Sequence, residues 1–152
     1  MTAEQRQDQL IEEYRLIPEA RERFQLIVET AGRNGTVPDH DRCDANLVPG
    51  CVSRLWLSVL PRAGGSVEVM IESESPALSG IAGLFRRVYS GSTPGEILST
   101  EPRFIEALGI DRFLTPTRLR GLRRLREILV AKARNLSGET PPGRTHPGRT
   151  PP

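Results

Sequence analysis

Two stretches decide the fold: residues 53–60, Ser-Arg-Leu-Trp-Leu-Ser-Val-Leu, and residues 66–72, Ser-Val-Glu-Val-Met-Ile-Glu. Both alternate. Leu55, Leu57 and Val59 share one face of the first, and Val67, Val69 and Ile71 share one face of the second. A period of two is the mark of a half-buried strand. The segment between them, Pro61-Arg-Ala-Gly-Gly65, has the composition of a hairpin connection. Just upstream, Leu47-Val48 is a candidate third strand of the same sheet.

On either side the period becomes helical. Residues 4–15 place Leu10, Ile11 and Tyr14 together, and Ile17-Pro18 breaks the pattern. Pro18 suits the first turn of a second helix, where its missing N–H costs nothing. That helix carries Phe24, Ile27, Val28 and Ala31, with Gly32 as its stop signal. After the strands, Ser75-Pro76 opens a helix with Leu78, Ile81, Ala82, Phe85 and Val88 on one stripe. Thr93-Pro-Gly-Glu96 has capping-box spacing and starts a short helix. Another short helix carries Phe104, Ile105 and Leu108 and ends at Gly109. A last helix runs from Thr115-Pro116 to about Asn135, with Leu119, Leu122, Leu125, Ile128 and Leu129 inward. Helices, then a small antiparallel sheet, then helices describe an α+β domain with the helices on one face of the sheet. It is expected to span residues 1–136. Residues 137–152 repeat Pro-Gly-Arg-Thr, offer nothing apolar to bury, and read as a disordered tail.

Bulk properties remove several classes of function. The 152 residues carry a net charge of +2, too small for a field that gathers nucleic acid or membrane. No apolar run approaches the roughly 18–20 residues that cross a bilayer. The acidic, polar N-terminus is unlike a secretory signal, so the expected compartment is the cytoplasm.

The chemistry concentrates on Cys51. It follows Pro49-Gly50 and precedes Val52-Ser53, where a turn-rich segment meets the first strand. A free cysteine is often a small buried hydrophobe. Beside glycine on a loop it can also be a nucleophile that a partner approaches closely. Cys43, in the polar segment before it, is either an incidental thiol or a resolving thiol for Cys51. The latter would make a thiol redox protein. His40, Cys43 and Cys51 are too few for a structural zinc site, and no metal or cofactor is expected. The last helix holds Arg118, Arg120, Arg123, Arg124, Arg126, Lys132 and Arg134. These read as a solvated face, or as a surface for an acidic partner, which would make the chain a non-catalytic binding module. No aromatic side chains interleave there for base stacking, so nucleic acid is the weaker partner. Trp56, on the face of Arg54 and Ser58, reads as a packing residue.

Asn46-Leu-Val-Pro-Gly-Cys51-Val-Ser53-Arg-Leu-Trp56-Leu resembles the signature of the SufE family, a Gly-Cys-x-Ser core followed by a hydrophobic–Trp pair. Further blocks are similar and fall in the same order. They are Phe24 to Gly32 with Val37-Pro38, then Ile71-Glu-Ser-Glu74-Ser-Pro, then Gly80 through Tyr89 to Thr93-Pro94, and Phe113-Leu-Thr-Pro-Thr-Arg118 with Gly121-Leu122. Leu47, Glu74 and Thr117 depart from the usual basic residue, Asp and Ser. The resemblance covers about residues 8–135. It implies a curved sheet of about three strands between N- and C-terminal helices. It also implies that Cys51 accepts a persulfide from a PLP-dependent cysteine desulfurase of the SufS or CsdA type, stimulates that enzyme, and passes sulfur toward iron–sulfur cluster assembly on downstream scaffold proteins. Gly50, Ser53 and Arg118 become candidate supports for the thiol, and Arg54 and Glu74 candidate docking residues. The chain would then be a sulfur-transfer partner rather than a stand-alone enzyme.

Overall fold

Residues 1–31, 37–50 and 53–137 are described by a computed structural model. Gly32, Cys51 and most of the Pro-Gly-Arg-Thr tail lie outside the described residues.

The two alternating stretches pair as predicted. β1 (Leu55–Pro61) and β2 (Val67–Ser73) are antiparallel, with Leu57 opposite Ile71 and Val59 opposite Val69. Leu55, Leu57, Val67, Val69 and Ile71 are all buried. The third strand does not form as a strand. Leu47 makes a single antiparallel bridge to Trp56. The ladder is stopped on both sides. Asn46 belongs to a 3-10 turn, its N–H spent on the carbonyl of Cys43, and Pro49 has no N–H to donate.

Among the described residues six helices surround the ribbon: α1 (Ala3–Arg15), α2 (Ala20–Thr30), α3 (Pro76–Tyr89), α4 (Pro94–Ser99), α5 (Phe104–Ala107) and α6 (Pro116–Ser137). Local chemistry sets their starts. Thr2 and Gln5 form a reciprocal capping box at α1. The hydroxyls of Ser75 and Thr93 accept from the N–H groups of Leu78 and Glu96. Pro18 does not enter α2; Glu19 caps that helix instead, its carboxylate accepting from Arg21 and Glu22. α3 lies against β2 and α6 against β1, while α1 and α2 pack on α3. The core runs through this stack, with Phe85, Tyr89 and Phe104 fully buried and the Phe85 and Phe104 rings edge to face. The α2–α3 contact requires Gly80: a Cβ there would lie 2.6 Å from the Ile27 carbonyl oxygen. No helix among the described residues is long and apolar enough to cross a membrane.

Candidate functional site

The chain approaches position 51 along a tethered path. Val37 is buried, and two 3-10 turns follow, Asp39–Asp41 and Asp44–Asn46. The Leu47–Trp56 bridge and a 2.8 Å hydrogen bond from the Val48 N–H to the Leu55 carbonyl then join the incoming chain to β1. Val48 is buried, whereas Pro49 and Gly50 are exposed. Gly50 has φ of 86°, which disfavours any residue with a Cβ, and nothing lies within 4 Å of where that Cβ would stand. The chain therefore leaves the core after Val48 and rejoins it at Leu55 through one bonded pair.

Side chains brace both limbs. On the return limb Arg54 pairs with Glu74 at 3.0 Å, and the Arg54 guanidinium stands 5.7 Å from the centre of the Trp56 ring. The Arg54 carbonyl accepts from the Glu74 N–H and the Ser73 hydroxyl. On the incoming limb Lys132 of α6 donates to Asn46 Oδ1 at 2.7 Å. The Asn46 amide in turn donates to the Asp41 carbonyl at 2.8 Å and reaches Cys43 Sγ at 3.8 Å. Arg42 pairs with Asp39 and, at 3.3 Å, with Glu72 of β2. Burial holds the Lys132 ammonium below the ordinary lysine range, opposed by the nearby Cys43 and Asp41. Lys132 thus ties α6 to the segment that leads to Cys51.

The Fe-S metabolism associated domain of SufE matches residues 8–133. The chain belongs to the SufE family. The solution structure of a hypothetical protein from Thermus thermophilus is similar to it, with a TM-score of 0.71 and 26% sequence identity over 88% of this chain and 96% of that one. The SufE match ties the chain to Fe–S metabolism and encloses both cysteines, both strands and nearly all of α6.

Within this SufE domain Cys51 itself lies outside the described residues. Gly50 and Ser53 flank it, exposed and half-buried. Arg54 and Glu74 come together as an exposed ion pair on the return limb. Arg118 sits in the first turn of α6, its N–H bonded to Thr115 Oγ1. Fourteen residues separate it from Lys132, roughly 21 Å along the helix axis. Cys43 is a free, exposed thiol.

The roles of two residues escaped notice in the sequence, Asn46 and Lys132. Lys132 follows the inward Leu125 by seven residues, so helical register alone puts it at the edge of the buried stripe. Arg126 makes the same point more strongly: it lies four residues after Leu122, is only 8% exposed, and does not belong to the solvated face expected for the arginines of this helix.

Proposed function

We propose that this SufE-family chain accepts sulfane sulfur on Cys51 from a PLP-dependent cysteine desulfurase, activates that enzyme, and delivers the sulfur to iron–sulfur cluster assembly in the cytoplasm. Cys51 falls inside the SufE match and directly after an exposed Pro49-Gly50 turn whose base is bonded to β1, which supports the assignment most directly.

The chemistry is a thiol exchange. The Cys51 thiolate attacks the outer sulfur of the desulfurase persulfide. A new S–S bond forms at Cys51, the desulfurase S–S bond breaks, and the desulfurase cysteine leaves as a thiolate. The rate follows the thiolate fraction at Cys51. PLP belongs to the desulfurase, and the chain supplies no cofactor of its own. Gly50 lets the backbone turn tightly before the thiol, and Ser53 begins the return limb. Arg54 and Glu74 form the docking surface beside the thiol. Arg118 supports the thiolate, and Lys132 ties α6 to the segment that leads to it.

The test is turnover of the cognate desulfurase with cysteine, with and without this chain. Wild type is expected to stimulate turnover, and Cys51→Ser to abolish the stimulation while still competing for the enzyme. Full stimulation by Cys51→Ser would overturn the assignment and favour a binding module acting through the basic helix.

A further inference from the structure

Arg126 is a buried guanidinium with too few partners. Its Nη2 donates to the Leu98 carbonyl at a long 3.5 Å, while Nε and Nη1 are buried without a hydrogen bond. One face stacks on the Tyr89 ring, 5.4 Å from its centre. The Glu101 carboxylate stands 3.8 Å from Nε, beyond hydrogen-bond reach, on a side chain that is 81% exposed. Buried guanidinium N–H groups left without a hydrogen-bond acceptor are costly, and in native proteins such groups nearly always find one.

Arg126 lines a cleft of ≈ 560 Å³ between the α4–α5 connection and α6. That volume falls in the ordinary range for small-molecule sites. Ile105, Leu119 and Leu122 supply apolar wall. The charges are of both signs. Arg103 is already paired with Glu4 and Asp8, and Glu127 with Arg124. Among the described residues Arg123, Glu106 and Asp111, which also line the cleft, have no ion-pair partner.

This combination discriminates between ligand classes. A simple anion would meet Glu101, Glu106 and Asp111 as well as the arginines. A simple cation would meet Arg123 and Arg126. A molecule carrying both charges has partners for each in the lining. We propose that the cleft binds a zwitterionic α-amino acid with an apolar side chain. Its carboxylate displaces Glu101 and takes the free N–H groups of Arg126, its ammonium faces Glu106 and Asp111, and its side chain lies on Leu119 and Leu122. A carboxylate matches the guanidinium fork in charge and geometry. The site lies apart from Cys51 and stands whether or not that thiol carries sulfur.

Titration of the full, isotope-labelled chain with L-leucine tests it, read at the Arg126 side-chain N–H and the Leu122 and Glu106 amide resonances. Two half-molecules serve as controls: 4-methylpentanoate, which lacks the ammonium, and 3-methylbutylamine, which lacks the carboxylate. L-Leucine is expected to give saturable shifts with a dissociation constant on the order of 1 mM. Each half-molecule should bind at least about tenfold more weakly, as expected when a charged contact is lost. Arg126→Lys should weaken leucine by a similar factor. Because Arg126 is buried, the variant Glu106→Gln with Asp111→Asn gives a second test at solvent-accessible positions. It should weaken leucine roughly fivefold and leave 4-methylpentanoate unchanged. The absence of saturable leucine shifts at about 20 mM would overturn the proposal, being well above that dissociation constant. So would equal binding of 4-methylpentanoate, or undiminished leucine binding to the Glu106/Asp111 variant.

Discussion

Two cations of α6 point inward, and they are treated differently. Lys132, near the C-terminal end, gives its ammonium to Asn46 at 2.7 Å, and Asn46 passes the connection to the Asp41 carbonyl. Arg126, less than two turns earlier, lies deeper and keeps Nε and Nη1 without acceptors. The first arrangement is complete and holds a loop. The second is incomplete and faces a cleft. Two cations on opposite edges of the buried stripe of α6 therefore differ: one braces a loop, and the other keeps two buried nitrogens without acceptors. What separates them is the number of buried nitrogens without an acceptor, two at Arg126 and none at Lys132.

The comparison breaks most visibly at Asn46. Asn46→Leu leaves the Lys132 ammonium without its acceptor and the Asp41 carbonyl without its donor, at an expected cost of about 2 kcal/mol. Urea unfolding would measure it, and Lys132→Met in the same background should recover part of the loss, because the orphaned charge is then gone. No loss in Asn46→Leu would mean that the brace carries no load.

Next in size is an alkaline effect on the Arg126 side. Tyr89 donates to the Thr100 carbonyl at 2.6 Å, and burial raises its phenol well above the usual range, against the lowering influence of Arg126. The folded state therefore keeps the proton while the unfolded chain loses it above about pH 10. Stability that is present below pH 10 should fall as pH rises further, by up to about 1.4 kcal/mol per pH unit. Tyr89→Phe should remove that slope, measured by denaturation across the same pH range; an unchanged slope would assign it to other groups.

A smaller effect sharpens the contrast. Arg126→Met should change stability by less than about 1 kcal/mol despite the residue's burial, since an incompletely paired charge gives way to an apolar chain of similar length. A loss of about 3 kcal/mol or more would show the guanidinium to be fully compensated in the folded chain. The smallest effect belongs to the surface. Arg54→Ala should cost no more than about 0.5 kcal/mol, because the Arg54–Glu74 pair is exposed. On the proposed function it should nonetheless weaken desulfurase binding several-fold, which a binding titration would read.

Much of this architecture was legible in residue order. Leu57 and Val59 facing Ile71 and Val69 follow from alternation, and the starts of α3 and α4 from Ser75-Pro76 and Thr93-Pro94. The third strand was not, because two residues, Leu47 and Val48, are apolar enough to suggest a strand while a 3-10 turn and a proline confine them to one bridge. The start of α2 shifted because a Glu19 carboxylate can cap as a serine would. The arginine-rich helix misled most. Composition counts charges, but only register with Leu119, Leu122 and Leu129 shows that Arg126 faces inward. The bracing role of Asn46 could not be recognised at all, since its partner Lys132 is 86 residues away. The case for Cys51 rests on its Gly-Cys-x-Ser setting and on the SufE match that encloses it.

The central claim is that sulfur resides on Cys51. Site-resolved mass spectrometry after incubation with the cognate desulfurase and cysteine reads it most directly. One added sulfur on the peptide containing Cys51, with Cys43 unmodified, is the predicted result; sulfur on Cys43 alone, or on neither thiol, would contradict it.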